Sequence, residues 1–473
     1  MRVSHSAQAA KVEFDDPNLL ADGGLAQVMG LAEKIDLAGL VDERVRIKDA
    51  PNSGGANAGA KVLTIIAGMI CGADSFDDLA RLRHGAMGKV FTGGRAVSTC
   101  GTFLRSFTHG HVKQLHALLR IVLVALVTGA RDLLPDADVI AFVDVDSMHR
   151  QVYGYQKQGA VNGRLKGQKT LHPLIATIST PLSRPVLAAI RMRKGNAADV
   201  RGAKSFVEQT LATARALGCT GALVLRGDAK FFTADICAAA RRAKALVSLT
   251  TGANPAVTSA IAAYDAAGGT WTPIHYPNAF VDEETGDLIS DAEVAQMPFT
   301  AFTGKRKSLR AEGRLIVRRV RRKNPQSTKP AAGEGEQQEL FQLFRHHAVF
   351  VTGDFEMLQA EAHHRQHAIH EQVNAEAKAG ALAHLPSGSF QANAAWATLW
   401  AIAHNLTRTA GVLAGGAHTR ATAATIRAHL INVPTRIASR ARKLTFHMPD
   451  DWPWREDLRD LRAAITRWQP RIT

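Results

Sequence analysis

Three carboxylates stand at the ends of apolar runs, where a sheet-based site would place them. Asp144 and Asp146 close the run VIAFVDVD two residues apart, so on a strand both face the same side of the sheet. The apolar residues before them bury that strand, and an acid pair at its end needs a reason. Asp228 ends a second run, GALVLRGD, and a helical segment follows at once, the position where α/β sheets place ligands. Carboxylates are hard oxygen ligands suited to Mg²⁺ or Mn²⁺, although an Asp at such a place also serves as a plain helix or turn cap. A further acid, Glu371, lies in the stretch HHRQHAIHEQVNAEAK. His370-Glu371 begins the zinc-protease signature H-E-x-x-H, but Asn374 stands where the second His ligand belongs. His363 and His367 are four apart and have zinc spacing; on a polar helix such a pair more often forms a solvated face.

The ordered set is more specific than any one motif: a strand ending in D-x-D-S, a strand ending in R-G-D, and a helix with Glu371 followed seven residues later by Lys378. It resembles the DDE-type cut-and-paste transposases of insertion sequences, in the group whose third-acid helix bears Y-x-x-R-x-x-x-E-x-x-x-x-x-x-K. Those positions are His364, His367, Glu371 and Lys378 here, so His replaces both Tyr and Arg. Ser147-Met148 follows the first acid in place of a hydroxyl pair, and Ala229-Lys230 follows the second. The resemblance implies an RNase H-like α/β core holding two divalent ions, Mg²⁺ or Mn²⁺, through Asp146, Asp228 and Glu371, with Asp144 as the alternate first ligand. It also implies a DNA transposase that binds terminal inverted repeats, cleaves the element ends and joins them to target DNA, working as a homodimer in a synaptic complex. The alternatives are a metal-dependent nuclease of the same fold without strand transfer, and a catalytically inactive, transposase-derived DNA-binding protein. His364, His367 and Lys378 would face DNA, the last two at a terminal phosphate.

The elements that must position these residues follow from the texture of the chain. Residues 1–136 read as a helical domain, with short helices before the long run HVKQLHALLRIVLVALV that resemble a DNA-binding helix-turn-helix and equally fit a plain helical subdomain with no DNA contact. Residues 137–251 hold strands first and then strand–helix alternation, which predicts a mixed sheet flanked by helices, the first part of the catalytic core. Residues 252–340 loosen into turns and short strands, a β-rich insertion domain. Residues 341–415 return to the core with the Glu371 helix, and residues 416–473 form a basic helical end.

The chain of 473 residues carries 58 Lys and Arg against 42 Asp and Glu, a net charge of +16, and so points to a polyanion such as double-stranded DNA. Residues 304–323 hold ten Lys or Arg and one Glu, and the alternation in RLIVRRVR is that of a strand. Arg318, Arg319, Arg321 and Arg322 are expected to face DNA phosphates, the alternative being a generic solvated basic face. Four cysteines without C-x-x-C spacing argue against a disulfide scaffold or zinc ribbon. The first residues lack the apolar core of a secretory signal, and the apolar stretch Leu118–Val127 contains Arg120 and is too short to span a bilayer. The expectation is a bacterial, cytoplasmic, nucleoid-associated protein with no membrane partner. Trp271, Trp396 and Trp400 have the means to stack a flipped base but at this spacing read as core.

Overall fold

The computed structural model describes residues 10–47, 53–154, 156–162, 167–252, 254–274, 292–321 and 344–469. Two compact units emerge, one from residues 131–375 and one from residues 1–130 with 376–473.

Besides a small three-stranded sheet of Arg150–Gln151, Lys169–Leu171 and Val161–Asn162, the strands in the unit of residues 131–375 are β1 (Ile140–Ser147), β2 (Leu174–Ser179), β3 (Val186–Arg191), β4 (Ala222–Gly227), β5 (Leu246–Thr250), β6 (Thr272–Ile274), β7 (Ala292–Ala301), β8 (Ala311–Arg321) and β9 (Phe344–Val351). They form one mixed sheet in the order β6-β7-β8-β9-β5-β4-β1-β2-β3. β1 pairs antiparallel with β2 and parallel with β4, β4 runs parallel to β5, and β9 closes antiparallel on β5. The β-branched and aliphatic runs supply strands buried on both faces. Helix α1 (Ala203–Ala216) turns Phe206, Val207 and Leu211 inward and packs against β1, β2 and β3. Helix α2 (Ala234–Arg242), capped by Thr233, forms the crossover between the parallel strands β4 and β5. Gly221 is required where β4 begins, because a Cβ there would lie 2.2 Å from the carbonyl oxygen of Asp138.

The mixed sheet flanked by helices is as the chain's texture predicts, but the strands expected in the insertion form no sheet of their own. β6 to β8 continue the core sheet through β9. Helix α3 (Pro255–Ala266) also stands where only turns and short strands were expected. Its signal was present: Asn254 accepts the backbone N–H of Val257, and Pro255 occupies the first turn. The segments YPNAFVDEETGDL and QSTKPAAGEGEQQE lie outside the described residues.

The Glu371 segment is two helices rather than one, α4 (Met357–Arg365) and α5 (Ile369–Ala379), separated by a tighter turn over Gln366–Ala368. Helix Phe390–Ala414, expected in the core, belongs to the other unit. There it packs against helices Leu25–Lys34, Ala58–Cys71, Val97–Arg105, His109–Gly129 and Arg455–Arg467. Trp396 and Trp400 are buried on it, with the indole N–H of Trp396 donating to the Ala381 carbonyl; both are core residues. The segment 416–473 carries the strand pair Thr435–Arg440 and Lys443–His447 as well as a helix. Helix His109–Gly129 extends the apolar stretch at both ends and, by length and composition alone, is long and apolar enough to cross a membrane. Half of its most apolar window is buried within the protein.

Candidate active site

Strand register builds the site. Thr177 on β2, Asp144 on β1, Arg226 on β4 and Ser248 on β5 are aligned neighbours, so four polar side chains form a row across one face of an otherwise apolar sheet. The α4–α5 segment lies over that row and answers it residue by residue. His370 Nδ1 is 3.0 Å from Thr177 Oγ1, His367 Nδ1 is 2.8 Å from Asp144 Oδ1, and the His363 carbonyl accepts from Arg226. His364 lies between Ser248 Oγ at 2.9 Å and Thr250 Oγ1 at 3.0 Å. A row of this kind in an apolar layer fixes how the helix sits, because a slip of one residue would strand buried polar groups.

Asp144 is fully buried and takes a two-pronged ion pair from Arg226, with Nε–Oδ1 and Nη2–Oδ2 both 2.7 Å, while the guanidinium lies 3.9 Å from the Phe142 ring. Burial alone would raise its pKa, but Arg226 and His367 together hold it well below the usual carboxylate range. Both oxygens of Asp144 are thus engaged by protein. Asp146, two residues on, is half-buried, and Asn374 of α5 donates to its Oδ2 at 2.9 Å.

Val145 and Gly227 are the last aligned pair of β1 and β4, and Asp146 and Asp228 follow them on the two chains. Asp228 caps the short turn Ala229–Phe231 by accepting the Lys230 N–H, so the capping reading of this residue also holds. Its side chain is 38% exposed, and its pKa is raised by partial burial and by the Asp146 charge, against the opposing pull of Lys230. Two hard-oxygen donors that repel one another suit a divalent cation, whose charge removes the repulsion. Glu371 is exposed on α5, three residues before Asn374 and hence on the same side of the helix. Among the described residues no three His, Cys, Asp or Glu side chains come together as a metal-holding group.

Two residues to which the sequence analysis gave no role, Asp199 and Lys230, stand beside the acids. Asp199 accepts from Ser147 Oγ at 2.7 Å, and Lys230 Nζ is 3.9 Å from Asp199 and 3.5 Å from Asp228. Asp199 precedes α1 in a loop with no apolar run to mark it; its role depends on the chain returning to the end of β1.

The residues expected to face DNA divide. His364 and His367 are occupied by Ser248, Thr250 and Asp144, and neither is turned to a ligand. Their spacing met the signature, but their faces are spent on docking the helix. Arg319 is held by Glu293 at 2.6 Å, with the Trp271 ring 4.1 Å and the Phe344 ring 4.6 Å away, so both Arg319 and Trp271 are packed. Arg318 is partly buried on β8; the side chain of Arg321 and all of Arg322 lie outside the described residues. Lys378 is exposed in the last turn of α5 and belongs to the other unit. The zinc readings fail on contacts: His370 serves Thr177, Asn374 serves Asp146, and His363 packs on Phe142 and Phe355.

The histidines give the protein a pH response. Burial pushes His364 down to about 3 and His370 down to about 4, so both are neutral in the folded protein near neutral pH. Burial opposes charge on His367 too, but its hydrogen bond to Asp144 prevails and its pKa is raised. A depressed histidine contributes stability above its unfolded value of about 6.5 that is lost as pH falls towards the folded value. The raised one contributes below about 6.5 and loses its share as pH rises through its folded value. More histidines are depressed than raised, burial pushing His172 down to about 4 as well, so the melting temperature should fall on acidification from about pH 7 to about pH 4. His364→Gln, which keeps a hydrogen-bonding side chain but cannot titrate, should flatten that decline in melts followed by circular dichroism. An unaltered slope would place the acid sensitivity elsewhere.

Carboxylates stand at the ends of two adjacent parallel strands of the mixed sheet, and Glu371 is exposed on the helix that covers the same sheet. The family model of the transposase DDE domain, group 1, matches residues 3–470, and the chain belongs to that family. No curated protein matches it. Among solved structures, a piggyBac transposase in a synaptic complex with hairpin DNA matches at 9% identity with a TM-score of 0.42, over 87% of this chain and 79% of that one.

Proposed function

We propose that the chain binds the terminal inverted repeats of its element, cleaves the element ends and joins them to target DNA. The observation that carries this reading is the placement of Asp146 beside Asp228 at the ends of adjacent parallel strands, in a chain of the DDE transposase family. The strands β3-β2-β1-β4-β5, three antiparallel and the last two added in parallel, are read as an RNase H-like core. Asp146, Asp228 and Glu371 would hold Mg²⁺ or Mn²⁺, and the pairing of Asp144 with Arg226 favours Asp146 over Asp144 as the first ligand. Two such ions supply Lewis acidity to both the attacking and the leaving oxygen of an in-line displacement. The chain's own residues do the positioning: Asn374 orients Asp146, and Lys230 offers a cation to a phosphate oxygen at the Asp228 edge. Residues 1–136 serve as a DNA-binding domain, and a homodimer brings two ends together in the bacterial cytoplasm, at the nucleoid.

Purified protein incubated with Mg²⁺ or Mn²⁺, DNA carrying the element ends and a target plasmid should yield joined products. Cut ends alone would make it a nuclease of the same fold. DNA binding with no metal-dependent cleavage would make it a transposase-derived binding protein.

A further inference from the structure

The basic run contains two structurally different parts. In its strand half, β8, Arg314 donates to Gln296 and to the Phe355 carbonyl, and Arg319 donates to Glu293. Its first half is the turn between β7 and β8, where Lys305, Arg306, Lys307 and Arg310 are all exposed. Among the described residues no carboxylate pairs with any of the four.

The turn is built rather than loose. The N–H groups of Lys305, Leu309 and Arg310 donate to the carbonyls of Phe302, Arg306 and Lys307, and residues Lys307–Leu309 form one tight helical turn. Arg310 Nε donates to the Lys305 carbonyl at 2.9 Å. Arg241, from the end of α2, donates to the carbonyls of Ser308 and Arg310 and ties the turn to the core. Phe302 enters the turn with φ of 62°, a conformation that side chains other than glycine rarely hold, and its ring lies 4.9 Å from that of Phe232. Phe232 is four residues after Asp228. A rigid cluster of four cations is therefore anchored to the C-terminal end of α2, and the strand register places it toward the end of the sheet opposite to Asp146 and Asp228.

We propose that the β7–β8 turn is a phosphate clamp for duplex DNA, gripping the backbone at a distance from Asp146 and Asp228. It rests on the reading of the chain as a DNA-acting transposase. Unpaired cations on a pre-ordered turn match the regular negative charge of a duplex and need little ordering on binding. Membership of a transposase family favours DNA over any other polyanion.

The test is a fluorescence-anisotropy titration of full-length protein with a labelled random-sequence duplex at a series of salt concentrations. Replacing Lys305, Arg306, Lys307 and Arg310 together by Ala should weaken binding by about ten-fold or more and reduce the salt slope by about 0.9 for each phosphate no longer neutralised. Arg318→Ala should change the slope little. Lys305→Arg with Lys307→Arg, which preserves charge, should bind as the parent does, and unchanged melting of the Ala variant excludes misfolding. An unaltered slope in the Ala variant, with the parent binding DNA normally, overturns the clamp and leaves the transposase reading standing. A parent that shows no salt-dependent DNA binding overturns both. If the Ala variant keeps its duplex affinity but loses adhesion to phosphatidylserine vesicles, the turn faces lipid and the proposal falls.

Discussion

Asp146→Asn should reduce metal-dependent DNA cleavage by orders of magnitude while leaving DNA affinity nearly intact. The amide keeps the size of the carboxylate and can still meet Asn374, but it removes the charge that would hold a cation beside Asp228. Without a correctly placed ion, both Lewis acidity and activation of the attacking water are lost. Affinity persists because it comes from Lys and Arg on other elements. Asp228→Asn and Glu371→Gln should behave alike. A second readout is the rise in melting temperature on adding Mn²⁺, which each variant should lose because binding to the folded state is what stabilises it. Asp199→Asn is the informative comparison, since Asp199 lies on Ser147 and near Lys230. A fully active Glu371→Gln protein would remove Glu371 from the triad, and loss of the Mn²⁺ effect in Asp199→Asn would then name its replacement.

Arg226→Met should be the most destabilising of the substitutions considered. It leaves Asp144 charged and fully buried with only His367 as partner, and breaking a buried ion pair by removing one member costs about 3–5 kcal/mol. It also strips the His363 carbonyl of its donor and so loosens α4. The double variant Asp144→Leu with Arg226→Met removes both charges and should recover much of the loss, since an apolar pair of similar volume is often tolerated in such places. Urea melts of the two single variants and the double variant measure the coupling directly. Additive losses would show that the pair is not a unit.

Much of this protein was legible in the order of its residues. The apolar runs that became β1, β4 and β5 were marked by their β-branched composition, and the acids at their ends by their contrast with it. The family signature was readable because its spacing survives even where His replaces Tyr and Arg. The roles within that pattern were not, because they depend on register and on which face of a helix meets the sheet. Asp144 and Asp146 look equivalent in the sequence, and the alignment of Asp144 with Arg226 made one a buried ion pair and left the other half-buried beside Asn374. His364 and His367 matched DNA-facing positions, and a polar row on the sheet drew them inward. The basic run read as one strand-like face, and a turn at Lys305 to Arg310 divided it into an exposed tip and a packed strand. Asp199 carried no signal at all. Periodicity and composition report what a segment does with its own neighbours, whereas these assignments rest on contacts between residues far apart along the chain, which only the folded chain brings within a few ångströms of each other.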